Sequence, residues 1–269
     1  MLGAIIGDIV GSRFEFDNHR SKEFDFFTAE SFVTDDSIMT LAVAKALKET
    51  ELKAAKLGLT SFDEEYLVLL RKNTIHYMQT VGRKYPDCGY GLRFNGWIFS
   101  DDPKPYDSFG NGAAMRISPV GFFARSEKDV ITLSDVITAV SHNHPEGIKG
   151  ARATALAVYM ARKKTAMEQI KRRIERDYYL LDFTIDEIRP TYRFNETSQE
   201  TVPQALQCFF ESTSFEDAIR IAVSLGGDTD TIAAIVGGIA EAYYGIPEEM
   251  KERALGYLDD ELLEIYHSI

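Results

Sequence analysis

The stretch Ser224 to Tyr244, SLGGDTDTIAAIVGGIAEAYY, constrains this chain more than any other. From Ile232 to Ala240 it holds only isoleucine, valine, alanine and glycine. A run with no polar face to offer to water reads as a buried helix. Its start nevertheless carries Asp228 and Asp230, fronted by Gly226 and Gly227 and interleaved with Thr229 and Thr231. One Asp is an ordinary N-cap, and the helix dipole stabilises a nearby anion by only ~0.3–1 kcal/mol. Two carboxylates at the mouth of a buried helix repel each other unless a cation neutralises them. Hard divalent ions such as Mg²⁺, Mn²⁺ or Ca²⁺ prefer such oxygen donors. Taken alone, the stretch reads equally well as a doubly capped helix start.

A second copy of the pattern tips the balance. Thr34-Asp35-Asp36-Ser37 precedes another apolar, helix-prone run from Ile38 to Leu47. Thr34 is expected to cap that helix, with Asp35 and Asp36 in its first turn. If the two helix starts meet, four carboxylates and two hydroxyls supply enough oxygens for two metal ions.

The chain has 269 residues, 45% of them hydrophobic, enough for one large core, so a single domain over residues 1–269 is expected. Its formal net charge of −12 argues against an extended nucleic-acid surface. The two cysteines, Cys88 and Cys208, fit no zinc or redox motif and read as buried thiols in a reducing compartment. No apolar run approaches the ~20 residues a membrane span needs. The N-terminal segment lacks a basic region, carries Asp8 and makes a poor signal peptide. These readings predict a soluble, cytoplasmic protein.

Strand-like alternation is scarce and helical periodicity dominates, so the fold is expected to be all-α, built from many short to medium helices. Gly3, Gly7 and Gly11 recur at intervals of four, forming one helix face that another helix can approach closely. Asp8 reads as a packing or capping residue, and Glu15, between Phe14 and Phe16, as a site carboxylate. Residues 21–33 read as a loop. Ser61-Phe62-Asp63-Glu64 resembles a capping box opening a helix to about Gln79. Residues 82–112, rich in glycine and aromatics, read as a long irregular, functional segment. Gly110-Asn111-Gly112 opens a further helix, where backbone amides can receive an anion such as a phosphate, although the segment alone reads first as an ordinary turn. A short helix over 134–140 leads to Ser141-His142-Asn143-His144. With no third nitrogen or sulfur ligand nearby, His142 reads as a hydrogen-bonding pocket residue and His144 as a loop residue. Helices follow over 150–161, from Thr201 with Pro203 in its first turn, over 214–223, and over 247–266. The basic residues of 162–176 read as a solvated face, and 178–200 as aromatic and irregular.

In combination these blocks resemble the ADP-ribosylglycohydrolase family, which includes dinitrogenase reductase-activating glycohydrolase. The matching blocks are G-D-x-x-G-x-x-x-E (Gly7, Asp8, Gly11, Glu15), T-D-D (Thr34 to Asp36), G-N-G-x-x-M-R (Gly110 to Arg116), Ser141-His142, and G-G-D-x-D-T (Gly226 to Thr231). They occur in the family's order and span nearly the whole chain. The resemblance implies a compact all-α multi-helix bundle holding a binuclear Mg²⁺ or Mn²⁺ centre. It implies hydrolysis of the glycosidic bond between ADP-ribose and an acceptor, with arginine on a protein as the first choice. Serine-linked, nucleic-acid-linked or free ADP-ribose derivatives are alternatives, and a non-catalytic ADP-ribose binder is the contrasting class. Partners are then an ADP-ribosylated protein or a small-molecule ADP-ribose conjugate.

Carried over residue by residue, the resemblance makes Thr34, Asp35, Asp36, Asp228, Asp230 and Thr231 the metal ligands. Ser108, Phe109, Gly110, Asn111, Gly112 and Met115 match a stretch lining the ADP-ribose cleft, with Gly227 and His142 close to substrate. The implied catalytic set is Glu15, Asp36 and Asp87. Asp87, in Pro86-Asp87-Cys88-Gly89, matches an acid that some bacterial members place in a D-x-G segment, and it is assigned proton transfer. Glu15 matches a carboxylate beside the metals. Phe109 stands where a tyrosine can occur. The stretch Tyr178–Phe194 matches no motif and is left for acceptor recognition.

Overall fold

The computed structural model describes residues 1–60 and 63–269. Among them every regular element is helical. The chain runs through α1 (Leu2–Gly11), a 3₁₀ turn (Ser12–Phe14), α2 (Asp35–Leu57), α3 (Glu64–Gly82) and α4 (Leu92–Phe99). Then come α5 (Gly112–Met115), α6 (Ser118–Phe123), α7 (Glu127–Thr138), α8 (Pro145–Arg162), α9 (Met167–Asp177) and α10 (Ile185–Ile188). It closes with α11 (Ser198–Phe210), α12 (Phe215–Leu225), α13 (Thr229–Tyr244), α14 (Glu248–Leu255) and α15 (Asp260–Ser268). An isolated antiparallel bridge joins Gly110 to Thr197.

Helix α13 lies at the centre. Every residue from Thr229 to Ala240 is buried, and α1, α8, α11 and α12 pack around it. Ile232, Ile235, Val236 and Ile239 are wholly excluded from water, each worth ~1.5–3 kcal/mol of apolar burial. The glycine stripe of α1 lies directly on this helix. A Cβ at Gly3 would stand 2.2 Å from the Gly237 carbonyl oxygen, and one at Gly7 would stand 2.0 Å from that of Ala233. At Gly11 the nearest atom is the Cα of Asp230, 2.6 Å away. Rising positions on α1 therefore meet falling positions on α13: the helices are antiparallel, with backbones in contact. The end of α1 is thereby delivered to the start of α13, where the acid pair lies.

The sequence reading needs several corrections. Residues 82–112 are not irregular throughout, because α4 forms inside them. Phe94, Trp97 and Ile98 supply its buried face at helical spacing, and the Trp97 indole N–H donates to the Val140 carbonyl at 2.9 Å. The helix expected from Thr201 begins earlier, at Ser198, which leaves Pro203 inside α11. Residues 178–200 contain the short α10, closed by a capping box between Thr184 and Glu187. The segment 247–266 forms two helices, with Asp259 capping the second. The capping box at Ser61 falls on residues outside those described. On α9 only Ile170 and Ile174 are buried and Arg173 pairs with Glu127 at 2.8 Å, as a solvated basic face requires. No helix among the described residues is long and apolar enough to cross a membrane.

Candidate functional site

The two acid clusters meet. Thr34 caps α2, accepting from the Asp36 amide at 3.3 Å, and Asp36 turns inward. The Thr231 hydroxyl, in the first turn of α13, donates to Asp36 Oδ2 at 3.2 Å. Asp8 ties α1 to the first of these helix starts. Its carboxylate, fully buried on α1, accepts from the Thr34 amide (3.0 Å), the Thr34 hydroxyl (2.6 Å) and the Ser37 amide (3.1 Å). The same helix reaches α13 through the Gly11 carbonyl, which accepts from the Thr229 hydroxyl at 3.0 Å. One face of α1 thus positions both clusters, and the 3₁₀ turn after it carries Glu15 to the second. Carboxylate oxygens of Glu15, Asp228 and Asp230 lie within 4.8 Å of one another. Gly226 and Gly227, both in the left-handed region (φ +71° and +76°), make the turn between α12 and α13.

This concentration of carboxylates is costly without a counter-ion. Burial, reinforced by Asp8 and Asp228, raises Asp35 to about 8. Burial, followed by Asp228, Asp8 and Glu196, raises Glu15 to about 7. Asp36 and Asp230 are pushed well above the usual carboxylate range, first by burial and then by their acidic neighbours. Asp36 Oδ1 is buried with no hydrogen-bond partner among the described residues. An all-oxygen, acid-rich and under-satisfied donor set fits a hard divalent cation.

The acids floor one end of a cleft of about 280 Å³. Glu15, Asp35, Asp36, Asp228, Asp230 and Thr231 line it, together with Ser108, Gly110, Asn111, Gly112, Met115 and His142. Asn111 links the parts, donating to Asp228 Oδ2 at 2.7 Å and to the Thr201 hydroxyl at 3.2 Å. The Gly110–Gly112 turn is pinned from outside. The Asn111 amide donates to the Glu196 carbonyl (2.8 Å), the Ser198 amide to the Phe109 carbonyl (2.9 Å), and the Ser198 hydroxyl to the Gly110 carbonyl (2.9 Å).

Four of the sequence-derived residues lie off the cleft wall. Thr34 is turned toward Asp8. Gly227 is buried under the Tyr192 ring, 2.7 Å from where a Cβ would stand. Phe109 is 43% exposed, its ring edge-on to His144 at 5.3 Å. Asp87 is exposed on the turn before α4, whereas Glu15 is in the cleft. Other lining residues had no role in the sequence reading: Leu92, Arg93 and Phe94 of α4, Tyr106, Arg116, Phe194 and Glu196. Arg116 was visible as the last letter of its motif. Phe194 and Glu196 come from or adjoin the unmatched aromatic stretch.

Comparison with known proteins bears on the family and the fold. A family profile described as ADP-ribosylglycohydrolase matches residues 1–268. ADP-ribosylhydrolase ARH3 from Homo sapiens is 26% identical, across 98% of this chain and 90% of its own length. ADP-ribosylarginine hydrolase Tri1 from Pseudomonas putida (strain GB-1) is 25% identical, across 94% of this chain and 72% of its own. A solved structure titled "ADP-ribosylglycohydrolase-related protein complex" superposes with a TM-score of 0.66 at 22% identity, covering 99% of this chain and 95% of that one.

Proposed function

The chain belongs to the ADP-ribosylglycohydrolase family, and from that premise we propose that it is a divalent-metal-dependent hydrolase that releases ADP-ribose from arginine side chains of proteins. The observation that carries the reading is the convergence of two helix-start acid clusters and Glu15 on one cleft that also holds the Gly110–Gly112 turn. Two ions, Mg²⁺ or Mn²⁺, would be held by Asp35, Asp36, Asp228 and Asp230, with Thr231 as a hydroxyl ligand, whereas Thr34, turned toward Asp8, caps the helix that presents Asp36. Bound there, the ions would supply Lewis-acid polarisation and offset the charge that this acidic cleft sets against an anionic substrate.

The chain's own groups provide the rest. In the Gly110–Gly112 turn the Gly112 amide is left for a diphosphate oxygen, since the Asn111 amide donates to the Glu196 carbonyl and the Gly110 amide to the Ser108 hydroxyl. Phe109, at the rim, offers an aromatic face for the adenosine part. Asn111 fixes the orientation of Asp228. For taking a proton from the water that attacks the anomeric carbon, geometry favours Glu15 over Asp87. Glu15 faces the cleft beside Asp228 and Asp230, whereas Asp87 is exposed on the turn before α4. The arginine acceptor is supported by the similarity to an ADP-ribosylarginine hydrolase and by the negative lining, which suits a guanidinium leaving group.

The test is release of free ADP-ribose from an arginine-ADP-ribosylated protein, with Mg²⁺ or Mn²⁺ and with EDTA, beside an Asp35→Ala/Asp228→Ala control. Metal-dependent release, absent from the control, is expected. No release together with unimpaired ADP-ribose binding would rule out arginine as acceptor, and no binding would rule out the cleft as an ADP-ribose site.

A further inference from the structure

Arg116 is a guanidinium in the cleft wall with two nitrogens that lack a hydrogen-bond partner among the described residues. It is wholly buried, and it forms no ion pair among the described residues. Its Nε and Nη1 have no hydrogen-bond partner, and the Phe94 ring lies 5.0 Å from its guanidinium carbon. The one nitrogen in use, Nη2, donates to the Ser141 hydroxyl at 2.9 Å and lies 3.2 Å from Nδ1 of His142. The Ser141 hydroxyl is itself 2.9 Å from that Nδ1.

These distances restrict where the imidazole proton can lie. A guanidinium carries only donors and stays protonated in proteins. A nitrogen 3.2 Å from Nη2 therefore has to accept, since an N–H there would set two donors face to face. With Nη2 donating to it, the Ser141 oxygen directs its own proton at Nδ1. The imidazole is left with its single hydrogen on Nε2. That atom faces the glycine turn: a Cβ at Gly112 would stand 3.3 Å from Nε2, and one at Gly110 would stand 3.5 Å away. Arg116 Nη1 looks on to the same place, 3.8 Å from the Gly112 Cβ position.

We propose that Arg116 is a positioning residue that locks His142 as the neutral Nε2–H tautomer, so that the imidazole presents one N–H donor to an anionic phosphate oxygen of the ligand against the Gly110–Gly112 turn. The identity of that ligand rests on the functional reading above, while the tautomer does not. Burial and the positive charges of Arg116 and Arg93 hold the His142 pKa well below its ordinary value, so the ring stays neutral and acts as a donor rather than a base. The arrangement also gives a reason for the small residues of the turn, since a side chain at Gly112 would fill the space in front of Nε2.

The experiment is ¹⁵N spectroscopy of the imidazole nitrogens in the ligand-free, full-length protein at pH 7. The His142 signals are identified among those of the five histidines by their loss in His142→Gln. The wild type is expected to show unprotonated Nδ1 and protonated Nε2. Removing both Nδ1 partners in Arg116→Met/Ser141→Ala is expected to give a mixture of tautomers and about tenfold or greater loss of ADP-ribose affinity by calorimetry. Arg116→Lys, which keeps a donor, is expected to retain the tautomer. A wild-type Nδ1–H tautomer or an imidazolium overturns the proposal, and so does an unchanged Nε2–H signal in the double variant. If the double variant does not fold, the wild-type and Arg116→Lys spectra decide. Failure of the wild type to bind ADP-ribose would count against the functional reading and leave the tautomer to the spectrum.

Discussion

Asp8 does not line the cleft, yet the Thr34–Ser37 cluster is anchored by it. Its two oxygens take three donors from the start of α2. In Asp8→Asn, one oxygen becomes an NH₂ facing those donors. The expected cost is ~1–3 kcal/mol of folding stability. Because ligand-orienting groups commonly tune metal sites by that much, roughly 10–100-fold weaker Mn²⁺ binding is expected too. Denaturant melts and calorimetry read the two effects separately. Glu15 and Asp87 are the other pair decided at this scale. Glu15→Gln is expected to keep ADP-ribose binding and lose on the order of 10²–10⁴ in turnover. Asp87→Ala, on an exposed turn, should stay within about twofold of wild type. The reverse ranking would return proton transfer to Asp87. Candidate ligands were legible at this scale because paired carboxylates before an apolar run have few structural uses. Glu196 was not, since a glutamate reads as surface until its place on a cleft wall is known, and Arg116 was legible only as the last letter of its motif, with no role attached.

At the scale of elements, α1 and α13 form the pair that makes the site. Their contact runs through backbone atoms, so no side chain can move aside to admit a methyl group. Gly7→Ala, aimed 2.0 Å from the Ala233 carbonyl, is expected to cost at least ~1–3 kcal/mol and to lower the melting temperature. It should also weaken cation binding, because it separates Asp8 from its register with α13. An unchanged melting temperature would show that the two helices do not pack this closely. The glycine spacing announced this contact, whereas its partner and direction appeared only in the fold. Helix α4 was hidden by the glycines and prolines around it, although Phe94, Trp97 and Ile98 already had helical spacing. The early start of α11 was hidden in a similar way, because Pro203 is commonest in a first turn and here lies deeper.

For the whole molecule, the buried acids make stability a function of pH. Their folded-state pKa values lie above the unfolded value of about 4. The stability they allow is therefore complete below that value, and it is lost as pH rises through about 6 for Asp8, about 7 for Glu15 and about 8 for Asp35. The melting temperature of the EDTA-treated protein should fall across this span, which the net charge of −12 reinforces. Mn²⁺ competes with the protons, so the stabilisation it confers should grow over the same range. Thermal melts at several pH values, with EDTA and with Mn²⁺, measure both slopes. A metal-free melting temperature that does not change with pH would contradict the crowding of carboxylates described here.

The helical class, the two acid clusters at helix starts and the close-packing face of α1 follow from the sequence itself. Each is local chemistry: periodicity, an N-cap beside a carboxylate pair, small residues every fourth position. Which clusters meet, which carboxylate faces the cleft and which is left in water, and where the His142 proton resides are tertiary decisions. They depend on separations that the chain closes only by folding. Asp8 reaches Thr34 across 26 positions and Thr231 reaches Asp36 across 195. Composition and spacing cannot encode such distances, because they arise from how α1 seats on α13 and not from any property of the segments it joins.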